Sequence, residues 1–226
     1  MESREQQLKT PRAAGAAGVV FALLLTAAIV LVRVGLPQGA DDVNAAVSPE
    51  AKKAVSAALG IVPFAGIFFL WFMGALRSLT GEREDKFIAT VFLGSGLLFV
   101  ASLFGAAAAA GGVLDTGRSS GQQSGVFGQH FAYTLMTTYA MRMAAVFTFA
   151  TSAIGRRLGV LPRQLTVLGY IAGLILLFAG PSVPWSELVF PFWALMVSLY
   201  ILRVGFRIQP DPDPDPDAGP DPVNAT

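Results

Sequence analysis

Hydrophobic residues run along this chain in long unbroken stretches, and the charges are confined almost entirely to the short segments between them. A helix needs about 20 apolar residues, at about 1.5 Å each, to cross the roughly 30 Å hydrocarbon core of a bilayer. Six stretches approach or reach that length: residues 13–36, 54–76, 87–112, 131–154, 164–180 and 185–206. The fourth is interrupted only by Arg142, and the sixth carries Glu187 near its start and Arg203 near its end. The pattern predicts an all-α fold, a polytopic membrane helical bundle with about six transmembrane helices over residues 1–208. Pro181 and Pro184 break the helix where the fifth and sixth spans must reverse as a tight hairpin. The Gly-, Ser- and Gln-rich piece from Asp115 to His130 reads as a flexible loop, a spacer or a lid. Residues 209–226, QPDPDPDPDAGPDPVNAT, alternate Asp with Pro and predict an extended, disordered acidic tail, either a solvated spacer or a docking peptide.

Composition sharpens the membrane reading. Hydrophobic residues make up 54% of the chain and charged residues 14%, against the roughly one quarter that is charged in a soluble domain. The net charge of +1 is segregated into connections, which is a bilayer pattern and offers nothing to a nucleic acid. With the N-terminus in the cytoplasm, the outer side holds only Arg33, Lys52, Lys53 and Arg118 of the 16 Lys and Arg, Arg142 lies within the membrane, and the rest fall inside. Positive charge is retained on the cytoplasmic side, so the expected placement is the inner (plasma) membrane with both termini cytoplasmic. A cleaved secretory signal ending near Gly39-Ala40 is the competing reading of the start, but a signal core is about 7 to 15 residues and this apolar run is longer.

The fourth span carries the candidate chemistry. Turned at about 100° per residue from His130, the wheel groups His130, Tyr133, Thr134, Thr137, Thr138, Thr148, Thr151 and Ser152 between about −60° and +80°. Ala132, Met136, Tyr139, Met143, Phe147 and Ala150 face the other way, and Arg142 stands at the border, about +120°. A charge at this depth costs at least about 2.5 to 3.5 kcal/mol and marks a bundle interior or a wet cavity. Two roles are open: Arg142 caps backbone carbonyls or a neighbouring hydroxyl and holds the bundle in register, or it forms a ligand site with Thr138, Thr134 and Tyr139 for an anionic or carbonyl-bearing group. Glu187 stands about 13 Å away in depth and is not an expected partner for Arg142. Small residues, Gly169 and Gly173 in the fifth span and Ala101, Gly105 and Ala109 in the third, predict close helix contacts.

Several chemistries lack their residues. The chain has no cysteine and one histidine, so thiolate sites, paired-histidine haem ligation and clustered metal ligands are not expected, and no cofactor is. The Gly94-Ser95-Gly96 piece is similar to the serine motif of rhomboid-type intramembrane proteases, but Ser95 and His130 should lie roughly 25 Å apart in depth.

FFLWFMGALRSLTGEREDKFIATVFLGSGLLFVA, from Phe68 to Ala101, and RRLGVLPRQLTVLGYIAGL, from Arg156 to Leu174, resemble uncharacterised multi-pass integral membrane proteins common in actinobacteria, and the second piece is similar to a membrane domain of unknown function. The resemblance implies a six-helix membrane protein and supplies no activity or site. The expected function is a non-enzymatic membrane-complex subunit or lipid-binding component, the alternative a small transporter or permease-like protein with its site at Arg142. Expected partners are the lipid bilayer, an anionic lipid or small anion, and a second copy or another membrane protein.

Overall fold

A computed structural model describes residues 2–35, 49–80, 86–116, 122–179, 183 and 185–207. The helices are α1 (Glu2–Gly35), α2 (Pro49–Thr80), α3 (Lys86–Thr116), α4 (Gln122–Thr134), α5 (Met141–Arg157), α6 (Arg163–Phe178) and α7 (Val189–Arg207). A π-helical segment, Leu135–Ala140, joins α4 to α5 with helical dihedrals at both junctions, so Gln122–Arg157 is one continuous rod. The fold is therefore a bundle of six helices. The acidic tail and the connections at residues 36–48, 81–85 and 117–121 lie outside the described residues.

Four helical stretches are long and apolar enough to cross a membrane: Gly15–Val34, Lys52–Ser78, Lys86–Gly112 and Ser186–Val204. α6 is apolar and shorter. The outward faces carry large apolar side chains, among them Leu23, Phe64, Trp71, Leu98, Ile171 and Phe192, where a soluble protein would present charge. This is a helical membrane protein, with its surface solvated by lipid.

Each helix packs on its neighbour in the chain, and the ring closes because α7 returns against α1. Phe21, Phe69, Phe99, Phe147 and Phe190 meet inside the ring, with centroids 4.9 Å apart for Phe21 and Phe69 and 5.0 Å for Phe69 and Phe147. All five are fully buried. Edge-on and tilted pairings suit the ring quadrupoles, so the centre is a packed aromatic plug.

Close approach around the ring depends on small residues, as expected where lipid supplies no drive between helices. A β-carbon at Gly18 would overlap the Ser198 hydroxyl and come within 2.6 Å of the Phe72 ring. One at Gly173 would lie 2.8 Å from Phe149, and one at Gly169 would overlap the Ser152 hydroxyl and sit 2.8 Å from the Trp193 indole nitrogen. The Gly169 and Gly173 spacing thus marks the seam of α6 with α5 and α7. The stripe on α3 is looser: Ala101 is exposed and Gly105 has only Leu135 nearby at 3.4 Å.

One local feature of the fold differs from the sequence expectation. Residues 122–130 are helical rather than a loop, because α4 docks on the end of α3 and Phe127 stacks on Phe131 with centroids 6.0 Å apart. α5 ends at a glycine, with Gly159 in the left-handed region at φ 68° and the Leu161 amide donating to the Gly155 carbonyl at 3.2 Å.

Candidate functional site

The six π-helical residues put one extra residue into the rod, which rotates everything beyond it by one residue's worth, about 100°. On an unbroken helix Thr134 and Thr148 would lie about 40° apart; the insertion opens this to about 140°. Thr134 and Tyr139 are accordingly exposed, while Thr148, Thr151 and Ser152 are buried. No single polar half survives along the rod.

The hydroxyls are mostly engaged with their own helix. Thr137 donates to the Tyr133 carbonyl, Thr148 to Ala144 and Thr151 to Phe147, each at 2.8 Å. This one-turn-back bond is the ordinary way a helix in lipid satisfies a hydroxyl. Ser152 Oγ and Trp193 Nε1, both buried beside Gly169, have no hydrogen-bond partner among the described residues.

Arg142 is half-buried, and its guanidinium donates to the Thr138 carbonyl at 3.1 Å. The Met141 amide donates to the same oxygen, so the π-helical junction and the arginine share one acceptor. Among the described residues Arg142 has no other partner and no carboxylate. Tyr139, three residues earlier, is 56% exposed, whereas Thr137, Ala140 and Met141 turn into the bundle. Thr138 is half-buried and supplies its carbonyl; Thr134 is exposed a further turn up. Of the four candidate residues, Arg142 and Thr138 are thus in contact, with Tyr139 and Thr134 along the outer flank.

A second charged cluster was invisible to the sequence reading. One guanidinium nitrogen of Arg33, in the last turn of α1, donates to both carboxylate oxygens of Glu187 at 2.7 Å. The two side chains are 13% and 4% exposed. Trp185 lies beneath, its ring centre 5.7 Å from the guanidinium carbon, with its own backbone in the left-handed region at φ 66°. A left-handed tryptophan costs about 1 kcal/mol or more. The pair also sits favourably on the helix dipoles, a cation at the C-terminus of α1 and an anion in the turn that opens α7. Both residues lie at the same end of antiparallel spans, which was the available signal.

Among the described residues no three His, Cys, Asp or Glu side chains gather closely enough to hold a metal ion. Compared with protein-family models, curated proteins and solved structures, the chain matches none of them.

Proposed function

We propose that this chain is a non-enzymatic integral membrane protein of the inner membrane, with both termini cytoplasmic, acting as a subunit of a membrane complex through its lipid-facing surface. The observation that carries this reading is the aromatic plug. Five mutually packed phenylalanines occupy the axis along which a solute would have to pass through one copy. The inner ion pair supports it too, since Glu187 is already neutralised by Arg33 and offers no free acid for ion coupling. The second reading, a small transporter-like protein binding an anion at Arg142, draws on the π-helical turn, a distortion frequent at functional sites.

The test is capture of the full-length tagged chain from its native membrane in mild detergent, followed by reconstitution. Stoichiometric co-purification of another membrane protein, with no solute flux into liposomes, is the expected result. A monomeric chain giving saturable flux overturns it. For the threading, the absence of cysteine gives a clean background. Cysteine placed at Lys53 should label from outside intact cells, and cysteine at Arg156 only after permeabilisation.

A further inference from the structure

We infer that Arg142 holds the phosphate of an anionic lipid headgroup, on the outward flank of the rod beside the π-helical segment. The inference does not depend on whether the chain works within a complex. A guanidinium has five N–H donors in a planar fork, and the described residues take up only one nitrogen, at the Thr138 carbonyl. The rest of the fork has no partner among the described residues, and the rod that carries it is the expected fourth span, where a guanidinium has few alternatives to a headgroup. Tyr139, three residues earlier, is exposed as well.

Depth makes the contact reachable. With Arg156 and Arg157, which close the rod, taken as one boundary of the expected span, Arg142 stands about 21 Å from Arg156 at about 1.5 Å per residue. A core of about 30 Å leaves its backbone roughly 9 Å below the opposite boundary. The side chain climbs a further turn toward the helix N-terminus, to the Thr138 carbonyl, bringing the fork within a few ångströms of the headgroup layer. A phosphate suits the remaining donors because the fork can bind two of its oxygens at once. Arg33, the other arginine buried in this half of the bundle, is already committed to Glu187 and makes the internal control.

The experiment is native mass spectrometry of the full chain in mixed micelles holding equal amounts of phosphatidylglycerol and phosphatidylcholine. The wild type should retain phosphatidylglycerol over phosphatidylcholine by about tenfold, the size expected of one charge-assisted contact. Arg142→Gln should bring the ratio to about one, Arg142→Lys should keep part of it, and the double variant Arg33→Met, Glu187→Leu, which removes the buried pair without stranding a charge, should leave it unchanged. Excess inorganic phosphate should not displace the lipid; displacement would mean that a small anion is the ligand and would overturn the assignment. Equal retention of both lipids by the wild type, or an undiminished preference in Arg142→Gln, overturns it as well. If Arg142→Gln fails to fold, the wild-type ratio and the Arg142→Lys ratio still decide.

Discussion

Removing Arg33 should strand Glu187. The carboxylate side chain is 4% exposed and takes both of its short hydrogen bonds from one arginine nitrogen. At an effective dielectric constant of about 20, two unit charges about 4 Å apart attract by about 4 kcal/mol, and breaking a buried pair from one side costs about 3 to 5 kcal/mol. Arg33→Met should therefore destabilise the bundle by about 4 kcal/mol. Glu187→Gln should cost less, about 1 to 2 kcal/mol, because the arginine is 13% exposed and can turn toward headgroups. The double variant Arg33→Met, Glu187→Leu should return to within about 1 kcal/mol of wild type, since desolvation of both ions disappears with their attraction. Equilibrium unfolding in mixed micelles, followed by far-ultraviolet circular dichroism, gives all three differences, and the single Glu187→Leu closes the cycle that gives the coupling between the sites. Strictly additive single variants of under 1 kcal/mol each would show that the pair does not hold α1 to the start of α7.

Gly169→Ala should cost about 1 to 3 kcal/mol by overpacking, whereas Gly60→Ala, with nothing within 4 Å of the added carbon, should stabilise by about 0.5 to 1 kcal/mol; thermal unfolding in micelles compares them directly. Phe69→Ala opens the middle of the aromatic plug, and because lipid solvates the unpacked ring its cost should fall at about 2 to 3 kcal/mol, below that of a soluble core; the same unfolding assay reads it. Trp185→Gly relieves the left-handed backbone but removes the ring beneath Arg33, so the two effects should nearly cancel in unfolding free energy, while Trp185→Ala, which keeps the strain, should lose about 1 to 2 kcal/mol.

The apolar helices could be read from run length, since in lipid a span must satisfy its backbone internally and must therefore be helical, whereas the helical start at residues 122–130 could not. The seam at Gly169 and Gly173 was legible for the same reason: only small residues bring backbones that close. The π-helical turn was not, because Leu135–Ala140, LMTTYA, carries no composition that distinguishes it from ordinary helix. Missing it turned the wheel by about 100° and joined Thr134 to Thr148 on a face that does not exist. The wheel also cannot see that a threonine bonds to its own helix, so a row of hydroxyls looked like a lining. The Arg33 and Glu187 pair needed the adjacency of α1 and α7, a contact between the two ends of the chain that local pattern does not encode.

That adjacency has a consequence in time. A chain made from its N-terminus lays α1 down first, and the partner of Arg33 is not synthesised until residue 187 emerges. Until residues 187–207 have been made, Arg33 is without its carboxylate and α1 without its second neighbour, so the bundle has an open side. A product that stops earlier keeps an unmatched charge at the end of α1 and an unclosed ring.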